Sequence, residues 1–171
     1  MPTFASDLFD DGEIMSDWIE VGSRPPAFTL TADDGTKVRL ADQIGSPVVL
    51  YFYPQDDTPG CTREACAFRD LQAELKRLGA KVFGISPDGV ESHASFRNKY
   101  GLNFPLLADV AHRVAEKYGA WREKNMYGNK MMGIQRSTYL IDRQGRVAKV
   151  WKRVKVDGHD QQVLDAVRSL Q

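Results

Sequence analysis

The sequence predicts an α/β fold in which a central mixed sheet is flanked by helices on both faces. Three observations carry that reading. Residues 48–53, Val-Val-Leu-Tyr-Phe-Tyr, are six consecutive β-branched, aliphatic or aromatic side chains, the pattern of a strand covered on both faces. A helical stripe follows, with Phe68, Leu71, Leu75 and Leu78 three and four apart, and then a second apolar strand at 81–86. A strand–helix–strand unit of that kind has parallel strands and a right-handed crossover. Near the end, strands at 136–142 and 147–150 are separated by Arg143-Gln144-Gly145, a turn so short that its strands must be antiparallel.

Each element has its own signal. Residues 1–18 form a separate acidic extension with Asp7, Asp10, Asp11, Glu13 and Asp17 and no Lys or Arg, too poor in apolar content to make a core of its own, and are expected to be weakly ordered. Phe4, Leu8, Phe9, Ile14 and Trp18 could instead pack on the domain surface. The domain proper is expected to span 19–171. Phe28-Thr29-Leu30 is a short strand whose preceding prolines, Pro25 and Pro26, suggest an edge position. Asp33-Asp34-Gly35 turns the chain into Val38-Arg39-Leu40, and 41–45 is a short linker with a turn of helix. Gly79 caps the helix that starts at Pro59. Residues 92–100 read as a helix stopped by Gly101 with His93 on its solvated face. Residues 104–107 read as a strand, and 111–118 as a helix carrying His112 on the surface. Residues 121–132 are less regular, with Tyr127-Gly128-Asn129 as a turn and Met126, Met131 and Met132 as pliable apolar fill. Residues 160–170 close the chain as a helix with Val163, Leu164, Val167 and Leu170 on one face.

Composition narrows the function. The chain has 171 residues, enough to bury a core without disulfide staples. Lys plus Arg and Asp plus Glu are equal at 23 each, so no net field favours nucleic acid or an anionic membrane. No apolar run approaches a bilayer span. The acidic start argues against a secretory or transit peptide. Two cysteines in a chain of this size point to catalysis or metal binding, and a cytoplasmic, reducing compartment is expected. Metal binding is the weaker of the two, because two cysteines without a nearby histidine pair do not complete a tetrahedral site.

Both cysteines lie just after the central strand. Pro54 stops that strand. Thr58 is placed to cap the next helix, and Pro59 falls at its first position, where a missing N–H costs nothing. Cys61 then lands in the first helical turn, where free backbone N–H groups and the helix dipole favour a thiolate. Arg63 and Glu64 read as a solvated face that modulates the local field. Cys66 is five residues further on, about 7.5 Å of rise and 140° of rotation along an ideal helix, so its Cα lies about 8.6 Å from that of Cys61. A disulfide needs less than about 7 Å. The helix must unwind locally before the two can join, and Gly60 weakens its start.

The run FYPQDDTPGCTREACAFRD (52–70), with Pro54, Thr58 and Cys61 in the spacing P-x-x-x-T-x-x-C, resembles the active-site signature of the peroxiredoxins. Within that family it is similar to the peroxiredoxin Q, or bacterioferritin comigratory protein, branch, where a second cysteine sits five residues after the first. The likeness extends through Ile85-Ser86-Pro87-Asp88, GLNFPLLAD (101–109), MYGNKMMGIQRSTYLID (126–142) and VKVDGH (154–159). It implies a thioredoxin-like fold and a thiol-dependent peroxidase acting on hydrogen peroxide and organic hydroperoxides. It further implies that Cys61 becomes a sulfenic acid, that Cys66 condenses with it, and that a thioredoxin-type dithiol protein reduces the disulfide. By the same resemblance Thr58 accepts a hydrogen bond from the peroxide, Arg136 donates to its oxygens and to the thiolate, and Pro54 shields the pocket from water. No cofactor or metal is expected, and the chain is expected as a monomer or homodimer. The ending Ser169-Leu170-Gln171 lacks the extra helix of over-oxidation-prone relatives, implying resistance to over-oxidation. Tyr51, Phe52, Trp121 and Tyr127 are candidates to line a pocket for organic peroxides.

Two other readings compete. A thioredoxin-like disulfide oxidoreductase would place its cysteines in C-x-x-C, whereas position 64 is Glu. A redox-sensing or chaperone-like thiol switch would react once with peroxide and stop, and has no need of Thr58, Cys61 and Arg136 together.

Overall fold

The computed structural model describes residues 17–171, so the expected extension lies, from residue 1 to 16, outside the described residues. The elements are β1 (Thr29–Ala32), β2 (Lys37–Arg39), a 3-10 turn (Leu40–Gln43), β3 (Val48–Phe52), α1 (Pro59–Arg77), β4 (Lys81–Ser86) and α2 (Val90–Tyr100). They continue with β5 (Leu106–Ala108), α3 (Arg113–Lys117), β6 (Trp121–Met126), β7 (Asn129–Ile134), β8 (Ser137–Ile141), β9 (Val147–Trp151) and α4 (His159–Arg168). One mixed sheet runs in the order β2-β1-β5-β4-β3-β8-β9. Strands β3, β4 and β5 are mutually parallel, while β8 is antiparallel to β3 and β9 to β8.

All five residues of β3 are buried, and the period-two alternation of a strand sends them to opposite sides. Val49, Tyr51 and Tyr53 join a core roofed by α1, α2 and α4 through Phe68, Leu75, Phe96, Val163 and Leu164. Val48, Leu50 and Phe52 join a second core with Val114 and Ala115 of α3 and with Tyr118 and Tyr139. This is the thioredoxin-like α/β architecture that the sequence predicts. The chain near residue 18 closes the second core: the Ile19 N–H donates to the Tyr139 hydroxyl at 3.0 Å, and the Arg122 guanidinium lies over the Trp18 ring at 4.9 Å. Among the described residues no helix is long and apolar enough to cross a membrane.

Three expectations are corrected. The edge of the sheet is β2, with β1 inside it; Pro25 and Pro26 precede the strand and so remove none of its ladder bonds. The irregular segment 121–132 is an antiparallel hairpin of β6 and β7, paired from Trp121↔Ile134 to Met126↔Asn129. Its turn residues Tyr127 and Gly128 both have positive φ (54° and 83°), as a two-residue hairpin turn requires. Only its base, Trp121 and Ile134, reaches the second core, so along the rest polar residues and methionines mix without the alternation that betrays a strand. Third, His93 is fully buried, not solvated.

Side chains of the two flanking strands leave no room at Gly84, where a Cβ would lie 2.9 Å from Leu106 Cδ2 of β5 and from the Tyr51 hydroxyl of β3. Gly84→Ala should therefore lower unfolding stability by about 1–3 kcal/mol. Gly89→Ala, with nothing within 4 Å of the new methyl, should cost less, no more than about 1 kcal/mol for the N-cap of α2 that Gly89 supplies. Urea denaturation of the two variants decides, and equal midpoints would contradict the packing argument.

Candidate active site

The site grows from the end of β3. The Tyr53 N–H still reaches the Ile85 carbonyl at 3.1 Å, and Pro54, half-buried and without an N–H, ends the ladder. Asp57 takes a left-handed conformation (φ 58°) and turns the chain into α1. Thr58 is the N-cap residue in extended geometry with Pro59 after it, as predicted, but its hydroxyl makes no capping bond. It donates instead to the Gln55 carbonyl at 2.9 Å. With its hydrogen so engaged, the Thr58 oxygen presents lone pairs and acts as an acceptor. Cys61 follows in the first turn, 2% exposed.

Arg136 arrives from the neighbouring strand. The β3–β8 register pairs Phe52 with Ser137, which puts Arg136 beside the point where the chain leaves β3 for Cys61. Its Nη2 donates to Cys61 Sγ at 3.3 Å, and its Nη1 donates to Glu64 Oε1 at 2.6 Å. Gly60 makes the approach possible, since a Cβ there would stand 3.2 Å from the same Nη2.

Glu64 is the residue that sequence reasoning misplaced. It is 2% exposed, three residues after Cys61 on the helix face that carries Ala65, Phe68 and Leu75. Extending the apolar stripe back from Phe68 by four residues would have found it. Burial pushes its carboxyl up to about 7, against a downward pull from Arg136. Its other oxygen, Oε2, is buried and meets no hydrogen-bond partner among the described residues. The Tyr51 hydroxyl is in the same condition. Burial opposes the charge on Arg136, but Glu64 and Cys61 more than offset it, and its pKa rises. Arg63, by contrast, is solvated as expected and pairs with Asp157 at 2.9 Å.

Cys66 is half-buried on the same uninterrupted helix, and both thiols are free. Lys124 of β6 donates to the Ile134 carbonyl, and burial, followed by the Arg136 charge, lowers its pKa. The four aromatic residues expected to line one pocket are not gathered in one place, although Phe52 and Trp121 both belong to the second core. Tyr51 and Phe52 belong to different cores, Trp121 stacks flat on His112 with centroids 3.7 Å apart, and Tyr127 is 98% exposed. Alternation along β3 and the solvent-facing hairpin turn keep them apart. The donor atoms of Asp56, Asp88 and His93 lie within 4.8 Å of one another, and each is engaged in hydrogen bonds within the protein.

Residues 21–150 match the model of the AhpC/TSA family. A bcp peroxiredoxin of Coxiella burnetii is 51% identical over 146 residues, covering 85% of this chain and 97% of that protein. Peroxiredoxin Bcp of Bacillus subtilis is 45% identical over 152 residues, covering 89% and 97%. Among solved structures, Xanthomonas campestris bacterioferritin comigratory protein superposes with a TM-score of 0.83 at 39% identity, covering 88% of this chain and 98% of that one. That structure was described for its alkyl peroxide reduction activity, from trapped intermediate and ligand complexes.

The buried carboxyl predicts a pH dependence. Unfolded, Glu64 loses its proton near 4.5; folded, it holds it to about 7. Between those values the folded state binds more protons, so this group's contribution falls as pH rises and is lost above about 7. The stability of the native chain minus that of Glu64→Gln should therefore decline by roughly 2–3 kcal/mol from pH 5 to pH 8, read from urea denaturation at the two values. A difference that stays flat would mean that Glu64 ionises as an exposed carboxyl does.

Proposed function

The chain belongs to the AhpC/TSA family as a peroxiredoxin of the bacterioferritin comigratory type, a thiol peroxidase, and from that premise we propose that Cys61 is its peroxide-reacting residue, held by Arg136 and Thr58, with Cys66 as its resolving partner. The observation that carries the assignment is the 3.3 Å contact of Arg136 Nη2 with Cys61 Sγ, made across 75 residues of sequence. It pairs a fixed positive charge with the one buried thiol among the described residues.

Ionisation alone does not make a peroxidase. An ordinary thiol of pKa about 8.5 is already about 3% thiolate at pH 7, so complete ionisation raises the reactive fraction about thirtyfold. The remaining acceleration has to come from the transition state, where negative charge grows on the departing oxygen. The guanidinium supplies donors for that charge, and Arg136 stays protonated throughout. Thr58, its hydrogen spent on Gln55, accepts the peroxide O–H and lines the O–O bond up with sulfur. Pro54 limits water at the mouth of the site. The Cys61 thiolate attacks one peroxide oxygen, the O–O bond breaks, the sulfur is oxidised to sulfenic acid, and the other oxygen leaves as alkoxide or hydroxide and takes up a proton.

Resolution forms the Cys61–Cys66 bond as the Cys66 thiol displaces water from the sulfenic acid. Both residues lie on one continuous helix, with Cα atoms about 8.6 Å apart in ideal geometry, so the first turns of α1 unwind for this step. An external dithiol protein of the thioredoxin type then reduces the disulfide, in a reducing compartment such as the cytoplasm. The substrates are hydrogen peroxide and organic hydroperoxides.

Peroxide consumption coupled to thioredoxin and its reductase tests the cycle. Cys61→Ser should abolish turnover, and Cys66→Ser should leave a single stoichiometric oxidation. Normal turnover by Cys66→Ser would assign resolution to an external thiol instead. Arg136→Ala and Thr58→Val should each lower kcat/KM for peroxide by about 10²–10³; an effect below threefold would remove either residue from the site.

A further inference from the structure

The loop that carries Pro54 and Thr58 is gripped from outside at two points, both supplied by α2. At the first point Asp56, 8% exposed, is filled on every side. Its Oδ1 accepts the Tyr53 hydroxyl at 2.6 Å, and its Oδ2 accepts the Ser92 hydroxyl at 2.7 Å and faces His93 Nδ1 at 2.8 Å. Its backbone N–H donates to Asp88 Oδ2 at 2.8 Å, and that oxygen also takes the Ser86 hydroxyl at 2.7 Å. His93 Nε2 points at the Leu107 carbonyl at 3.0 Å. A carbonyl only accepts, so Nε2 is the nitrogen that donates to Leu107, while Nδ1 lies against Asp56 Oδ2. The result ties the loop through α2 to β5.

The second grip falls seven residues later on the same helix face, about 10 Å along the axis. Asp57, the residue in left-handed conformation, accepts Lys99 Nζ at 2.8 Å on Oδ2 and the Tyr100 hydroxyl at 2.7 Å on Oδ1. The Tyr100 carbonyl in turn accepts Arg69 Nη1 of α1 at 2.6 Å. Residues 56 and 57 are thus fixed to an element that carries neither cysteine, while the chain immediately after them is the part of α1 that has to unwind.

We propose that α2, through Ser92 and His93 on Asp56 and Lys99 and Tyr100 on Asp57, is the positioning brace of the peroxide-reacting loop: it holds Thr58 and Cys61 in the folded arrangement that meets peroxide and resists the unwinding that brings Cys61 to Cys66. The proposal rests on the peroxidase reading above and adds the element that sets the balance between its two halves. Peroxide needs the loop seated against Arg136, and disulfide formation needs it released. A sulfenic acid that remains seated is exposed to a second peroxide, which takes it to sulfinic acid. The strength of the brace therefore sets how each oxidised Cys61 divides between disulfide and sulfinate.

The test loosens the brace without touching Cys61, Thr58 or Arg136. The pair Lys99→Met with Tyr100→Phe alters the solvent-exposed grip and leaves the core intact. Ser92→Ala removes one donor from the buried grip. Reduced native chain and variants are mixed with hydrogen peroxide, quenched at intervals with an alkylating reagent, and weighed by mass spectrometry for sulfenate, disulfide and sulfinate; thermal melts are run alongside. Each variant should oxidise Cys61 about threefold more slowly and close the disulfide about threefold faster. The sulfinate formed per disulfide should fall accordingly, while the melting temperature moves by only a few degrees. A merely structural role would lower the melting temperature and leave that partition where it was, and an unchanged partition in both variants overturns the proposal. If the native chain itself forms neither sulfenate nor disulfide, the peroxidase reading is what has failed.

Discussion

The site depends on one constraint, the complete burial of β3 between β4 and β8. A strand covered on both faces has no freedom to slide, since a one-residue slip would exchange its two buried faces. Its neighbours are therefore locked in register as well. That lock sets Phe52 against Ser137 and so delivers Arg136, 75 positions along the chain, to the end of the strand from which Cys61 departs. Helix α1 is placed by the same strand, because Tyr51 and Tyr53 share a core with Cys61, Ala65 and Phe68. Thiol and guanidinium approach each other across 75 positions of sequence with little left to loop conformation.

The guanidinium is shared. One nitrogen serves Glu64 and the other serves sulfur, so a buried carboxyl and the Cys61 sulfur share a single positive charge. Burial moderates the sharing. A carboxyl raised to about 7 spends part of its time neutral at physiological pH, and a neutral Glu64 leaves more of the Arg136 field to the sulfur. The pair thereby orients the guanidinium in two dimensions without fully neutralising it.

Much of this was legible in the sequence, and what was missed has physical causes. The strand, the proline stop, the helix start and the position of Cys61 in the first turn are local properties written in adjacent residues. The contact of Arg136 with Cys61 was reachable only through family likeness, since nothing near it in sequence speaks of Cys61. Glu64 and His93 were misread for a common reason: a charged or polar side chain is assigned to solvent by default, and only three-dimensional partners reverse that. Glu64 meets Arg136, and His93 meets Asp56 and the Leu107 carbonyl. The β6–β7 hairpin escaped because alternation marks a strand only where one face is buried. Tyr51 and Phe52 were grouped although they are adjacent on a strand, and adjacent strand residues face opposite ways.

Gly60 has a consequence for how this sequence can drift. A methyl group at this position would meet the guanidinium at 3.2 Å, and it would also strengthen the first turn of α1 by roughly 1 kcal/mol. The same small change thus presses on the charge that faces the sulfur and stiffens the segment proposed to unwind. Neighbouring positions can trade one property against the other, but position 60 cannot, because both penalties come from the same carbon. Among the residues between Thr58 and Cys61 it is the place where ordinary substitution is closed from two directions at once, although it carries no side chain and does no chemistry.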